Sequence, residues 1–182
     1  TLQQMEYNGF KYDSEGSRKE AARLEEECAK LDKYILNEYP DVPINLGSPD
    51  HISCMLYGGT IKDETRIPIG EFKSGKKIGQ TRYKILEVEY ELPRLVEPLK
   101  GSELAKEGYF GTSEPVLLSL RATGKVKKVI NALLERRGLE KLRNTYFNGI
   151  PDRIDEHHWS DNCVHGQLNQ CVTGTGRLSA TN

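Results

Sequence analysis

Cys163-Val164-His165-Gly166-Gln167-Leu168-Asn169-Gln170-Cys171-Val172-Thr173-Gly174-Thr175-Gly176-Arg177-Leu178-Ser179 is the most specific stretch of this sequence. Its first half has a two-residue period. Val164, Leu168 and Val172 fall on one face and His165, Gln167, Asn169 and Cys171 on the other, which predicts a strand with one buried side. Its second half sets Arg177 among glycines that let a backbone approach a ligand closely. Read alone, Arg177 is a surface arginine in a glycine-rich turn. The polar side of the strand is equally a solvent-facing edge.

Upstream, residues 113–147 read as helix. Ser113 and Glu114 start a short one, and Val126, Ile130 and Leu133 keep helical spacing up to a break expected at Gly138, after which Leu139, Leu142 and Tyr146 continue the pattern. Residues 14–38 form a second helical stretch. Ala21, Leu24, Cys28, Leu31 and Ile35 make one apolar stripe, Asp13 or Ser14 can cap it, and Ser17 with Glu20 offers a later start. Asn45-Leu46-Gly47-Ser48-Pro49 is a turn into a short helix ending near Tyr57 at Gly58-Gly59, with Ser48 as N-cap and Pro49 in the first turn. Between the helices, residues 60–112 change character. Leu86, Val88, Tyr90 and Leu92 alternate with Glu87, Glu89 and Glu91, as in a half-buried strand, and Ser74-Gly75-Lys76-Lys77 reads as a hairpin tip. Pro93, Pro98, Gly101 and Gly108 then mark an irregular stretch.

The chain has 182 residues, room for one domain or one and part of another. With 26 basic and 27 acidic side chains the net charge is −1, so nucleic-acid binding would require the basic residues to be segregated. The four cysteines, Cys28, Cys54, Cys163 and Cys171, form no C-x-x-C pair and read as reduced thiols. Cys28 and Cys54 lie near apolar helix positions and are expected to fill core. His157, His158, Cys163 and His165 match no strong zinc spacing. No apolar run approaches the length of a bilayer span, and the N-terminus does not read as a signal peptide, so a cytoplasmic location is expected. The first residue is Thr1 rather than Met, and both ends read as cut from a longer chain.

His165-Gly166, Asn169-Gln170 and residues 173–179 together resemble the start of the palm in family A DNA polymerases, the family of bacterial DNA polymerase I and many phage replicases. Three further stretches agree in order. Met5-Glu6 with Asn8-Gly9 and Asp13 resembles the lead-in to the polymerase domain. Residues 45–49 resemble the thumb turn. Leu139-Glu140-Lys141-Leu142-Arg143-Asn144-Thr145-Tyr146 resembles the helix that returns to the palm. Residues 60–112 look longer and more basic than in the bacterial enzyme, as in phage members. Asp50 stands where many members carry a basic residue, which counts against a phosphate contact there.

The resemblance implies an α+β fold: residues 1–13 lead in, residues 14–153 form a helical thumb with a β-hairpin-containing insertion over 60–112, and residues 154–182 supply the first antiparallel strands of a palm. It implies template-directed nucleotidyl transfer in replication or repair, with primer-template DNA and deoxynucleotides as partners. Mg2+ in the intact enzyme would be held by residues outside this chain. The family's metal-binding aspartates follow the segment that closes this chain, so the piece is expected to be inactive by itself. A cytoplasmic setting in a bacterium or a phage-infected cell follows.

By the same resemblance Arg177 reaches the minor groove near the primer terminus, where acceptors common to all correct pairs let an arginine check geometry without reading sequence. Thr175, Asn169, Gln170 and His165 would face primer or template. Lys141, Arg143, Asn144 and Thr145 suit phosphates, as do Asn45 and Ser48, although turn-making and capping account for the last two equally well. Lys73, Lys76 and Lys77 would extend the grip on DNA, dock a processivity partner, or simply solubilise a hairpin. Two other readings remain: a standalone or split-polymerase DNA-binding module without catalysis, and an unrelated α+β interaction protein.

Overall fold

A computed structural model describes residues 1–71, 75, 78–159, 162–169, 174 and 179–181. The chain is mixed α+β, with helices and two-stranded antiparallel sheets. It divides into two compact units, Thr1–Leu31 with Glu135–Asn182, and Asp32–Leu134. Among the described residues no helix is long and apolar enough to cross a membrane.

The first unit opens with α1 (Leu2–Asn8) and the short strand β1 (Phe10–Lys11), followed by α2 (Ser14–Leu36), which runs on into the second unit. Asp13 caps α2: its Oδ1 accepts the Gly16 N–H at 3.0 Å and its carbonyl accepts the Ser17 N–H. The later start at Ser17 and Glu20 is not used, because Ser17 is already inside the helix and buried. The expected stripe is real, with Ala21, Leu24, Cys28 and Ile35 all buried. Outside it, Glu15–Lys19, Glu20–Arg23 and Arg23–Glu27 pair along the solvated surface.

In the second unit, Ser48 caps α3 (Pro49–Tyr57) by accepting the His51 N–H, and Gly58 ends it. Ile52, Met55, Leu56 and Tyr57 are buried, so this short helix is core rather than surface. Each such side chain contributes roughly 1.5–3 kcal/mol on burial. Cys54 is buried as well, and that burial pushes its thiol pKa up.

Strands β2 (Gly59–Glu71) and β3 (Thr81–Leu92) form an antiparallel ribbon, in register from Gly59↔Leu92 to Ile67↔Lys84, with a bulge between Pro68 and Gly70. The half-buried strand expected at 86–92 is observed over 88–92, where Val88 and Tyr90 are half-buried, Leu92 is buried, Glu89 and Glu91 are exposed, and Ile61 is buried opposite Tyr90. Farther out Leu86, Ile67, Ile85 and Tyr83 are exposed, since a two-stranded sheet has no second layer to cover them. Lys73, Lys76 and Lys77 lie outside the described residues.

The irregular stretch expected after Pro93 is observed, and it is tied to α3 by buried polar contacts. The N–H groups of Leu95 and Val96 both donate to the Leu56 carbonyl, and Arg94 Nε donates to the Tyr57 carbonyl. Ser53 Oγ accepts the Phe110 N–H at 2.9 Å, and the Tyr57 hydroxyl donates to the Gly111 carbonyl at 3.1 Å. Helix α4 (Glu114–Ser119) follows.

Helix α5 (Gly124–Lys141) continues through Gly138, where a break was expected. A helix-interior glycine costs only about 1 kcal/mol relative to alanine, and the burial of Val129, Ile130 and Leu133 outweighs that. The next residues, Leu142–Asn148, are π-helical, and α6 (Gly149–Glu156) follows, with both belonging to the first unit. The continuous strand expected from Cys163 is divided in two. Strand β4 (Cys163–Val164) pairs with β1, and β5 (Gln167–Asn169) pairs with β6 (Ser179–Thr181). Each of these short strands is thus paired among the described residues.

Space is open around a Cβ built on Gly138, and its backbone is not in the left-handed region. Gly138→Ala is therefore expected to stabilise the protein by about 0.5–1 kcal/mol, read as a shift in denaturation midpoint. Leu133→Ala, at a fully buried position, should cost about 2–5 kcal/mol in the same assay.

Candidate nucleic-acid interface

The π-helical stretch carries Arg143, Asn144 and Thr145, and Lys141 is the last residue of α5 before it. A π-turn holds one more residue than an α-turn and closes with a longer hydrogen bond, here from the Gly149 N–H to the Asn144 carbonyl. A Cβ on Gly149 would stand 2.9 Å from that carbonyl oxygen, so the closure requires glycine. The widened turn offers two carbonyls to the start of α2. Ser17 Oγ donates to the Phe147 carbonyl at 3.0 Å. The Tyr12 hydroxyl stands 2.8 Å from Ser17 Oγ, where either oxygen can donate, and it donates to the Tyr146 carbonyl at 3.2 Å. Arg18 reinforces the arrangement by pairing with Asp152 at 3.1 Å and Asp155 at 2.6 Å on α6.

The four residues are not equivalent. Arg143 is mostly covered, lies 3.5 Å from Glu25 and donates from Nε to Asn144 Oδ1 at 3.1 Å. Its charge is already offset. Lys141 and Thr145 are exposed. Asn144, Thr145, Tyr146, Gly149, Ile150, Arg153 and Val164 line a cavity of about 400 Å³. The sequence reading passed over Arg153. It is exposed, with no carboxylate at ion-pair distance among the described residues, and its spacing of eight from Thr145 is the only hint that sequence offers.

His165 and Asn169 lie near α1. His165 Nδ1 stands 3.0 Å from the Glu6 carbonyl; a carbonyl only accepts, so Nδ1 carries the proton. The ring also packs edge-on against Trp159, which stacks on His157. A Cβ on Gly9 would come within 2.9 Å of that ring, and Gly9 has a φ of +62°, so only glycine suits the position. Glu6 Oε1 accepts the Leu168 N–H at 2.6 Å, tying α1 to β5. Asn169 is half-buried on β5 opposite Ser179. Arg177, Thr175 and Gln170 lie outside the described residues.

In the second unit Asn45 and Ser48 are engaged in their own turn. Asn45 Oδ1 accepts the Gly47 N–H at 2.8 Å, and Ser48 caps α3. Lys106, which the sequence reading did not single out, stands 2.6 Å from Asp50 and 3.8 Å above the Tyr109 ring. The hydrogen bond to Asp50 raises its pKa. Among the described residues, no group of three or more His, Cys, Asp or Glu is arranged to hold a metal ion.

Against this geometry the comparisons with known proteins agree with one another. Residues 71–182 match DNA polymerase family A. The chain is 28% identical over 180 residues to the thermostable DNA polymerase I of Thermus aquaticus, covering 99% of this chain and 16% of that protein. Its likeness to the thermostable DNA polymerase I of Thermus thermophilus is 27% over 180 residues, with the same coverage. To DNA polymerase I of a Synechocystis species it is 36% identical over 83 residues, 46% of this chain and 8% of that protein. The chain thus spans about a sixth (16%) of the Thermus relatives. It belongs to DNA polymerase family A, and the reading as an unrelated α+β interaction protein is set aside.

Ser17→Ala should cost about 1–3 kcal/mol by leaving the Phe147 carbonyl without its donor. Denaturant unfolding would measure the loss, and Ser17→Thr, which keeps the hydroxyl, should recover part of it.

Proposed function

We propose that this chain is the DNA-gripping portion of a DNA-directed DNA polymerase, holding primer-template duplex and aligning the primer end. Membership of the family over residues 71–182 is the observation that carries this reading. The exposed Lys141 and the exposed Thr145, which lines one cavity with Arg153, support it. Residues 14–153 serve as the thumb, with 60–112 as an insertion of phage type. Residues 1–13 lead in, and 154–182 begin the palm.

In this reading phosphate contacts fall to Lys141, Arg143, Asn144, Thr145 and Arg153, with Asn45 and Ser48 in the second unit. Such contacts position a duplex without reading its sequence. Asn169, Gln170, Thr175 and Arg177 face the primer end, and His165 supports the strand that carries Asn169. Lys73, Lys76 and Lys77 add contacts to DNA or to a processivity partner. The intact polymerase joins deoxynucleotides to a primer with Mg2+ assisting phosphoryl transfer, in the cytoplasm of a bacterium or phage-infected cell. Among the described residues no group of three or more His, Cys, Asp or Glu is placed to hold that ion. The role of this portion is positional, and misplacing the primer end costs rate even when binding survives.

Fluorescence anisotropy with a labelled primer-template at several salt concentrations tests the reading. Binding should be sequence-tolerant and salt-sensitive. Lys141→Ala and Arg153→Ala should each lower the slope of log affinity against log salt by about 0.9. Arg143→Ala should lower it less, because Glu25 already offsets its charge. A folded chain that binds no duplex at low salt would sink the proposal. In the intact enzyme, Arg177→Ala should slow extension more than it weakens binding, and equal losses would count against a primer-end role.

A further inference from the structure

The β2–β3 ribbon is divided electrically along its length. Its base half carries Asp63, Glu64, Glu87, Glu89 and Glu91 against the single cation Lys62, which is neutralised by Glu89 at 2.6 Å. Glu64 and Glu87 are directly opposed partners, an arrangement that destabilises a strand pair. The distal half reverses the sign. Arg66, Arg82 and Lys84 are exposed there, with no ion-pair partner among the described residues, and Glu71 is the lone acid among the described residues of that half.

The register places these cations on both faces. Lys84 lies opposite Ile67 and, two residues along β3, Arg82 shares its face, while Arg66 lies opposite Ile85 on the reverse face. Between them Ile67, Ile85 and Tyr83 are exposed. A flat protein partner would be met by one face of a ribbon. Cations on both faces, with apolar side chains between, suit a slot walled by negative charge on either side. Duplex DNA has such a slot: the major groove is about 12 Å wide and admits a two-stranded ribbon, whose strands lie about 4.8 Å apart. Apolar side chains meet sugar surface there. The acidic base half would be repelled by phosphates, which limits entry to the distal half.

The geometry points to a groove-binding arm: the distal half of the β2–β3 ribbon lies in a groove of duplex DNA, with Arg66 on one wall and Arg82 and Lys84 on the other. This rests on the DNA-gripping role proposed above and adds a second, separate hold on the duplex. The contact is to backbone, so it is sequence-tolerant.

Salt-dependent anisotropy with the whole chain and a blunt duplex tests it. The triple variant Arg66→Ala, Arg82→Ala, Lys84→Ala should lower the salt slope by about 2.7, at about 0.9 per phosphate contact. Arg66→Lys with Arg82→Lys should retain the slope, since charge rather than shape is required. Lys62→Ala should leave it unchanged, because that cation is already paired. A triple variant that keeps its circular dichroism spectrum and the wild-type slope overturns the arm while leaving the Lys141 and Arg153 contacts standing. So does Lys62→Ala lowering the slope as much as the triple variant. A dimer of the wild type in sedimentation, lost in the triple variant with the slope unchanged, would assign the surface to a second copy and overturn the arm. Failure of the wild type to bind any duplex would instead remove the underlying function.

Discussion

One hydrogen bond sets the first unit: the Ser17 hydroxyl donates to the Phe147 carbonyl. A π-turn disturbs the regular ladder of a helix and is tolerated where outside groups meet the carbonyls it displaces. Ser17 and Tyr12 do this from the start of α2, and Asp13, the cap of that helix, fixes where both stand. Thr145 sits within that turn, Lys141 just before it and Arg153 on the helix that follows, and two hydroxyls meet the carbonyls of the turn. An unmet buried carbonyl costs about 1–3 kcal/mol, a sizeable fraction of the 5–15 kcal/mol that holds a typical domain together.

The second unit solves a related problem differently. A long excursion leaves α3 at Gly59 and returns at Leu92, and the chain after it has little regular structure with which to satisfy its own backbone. The solution is to make α3 both core and polar anchor. Its apolar side chains are buried, while Ser53, Leu56 and Tyr57 supply the acceptors and the hydroxyl that fix residues 94–111. Buried polar groups that find partners in this way specify one arrangement where apolar contact alone would permit several. Lys106 standing over Tyr109 and beside Asp50 is a product of that anchoring.

Much of this was legible in the sequence. The α2 stripe, the Ser48 cap, the ribbon, the irregular stretch and α4 could each be read from local periodicity or turn chemistry, because each is decided by neighbouring residues. Gly138 misled because burial along α5 outweighs a local penalty. The π-turn was invisible because its cause, Ser17 and Tyr12, lies far away in sequence. The alternation over 86–92 was real, but alternation reports which side of a strand is apolar and says nothing about whether a second layer covers it. Among site residues, Lys141 and Thr145 stand exposed. The offset of Arg143 by Glu25 and the place of Arg153 beside the cavity are tertiary facts with no local trace.

Gly59 and Leu92 are cross-strand partners, so the two ends of the ribbon leave the core side by side. A segment attached in that way asks nothing of the core except two adjacent exits. The entropic cost of lengthening a loop grows slowly, by about 0.6 kcal/mol for each doubling, and a hairpin satisfies its own backbone as it grows. Natural selection can therefore extend, shorten or replace this element between relatives while α3 stays as it is, and the ribbon's surface is free to diverge faster than the helix that anchors it.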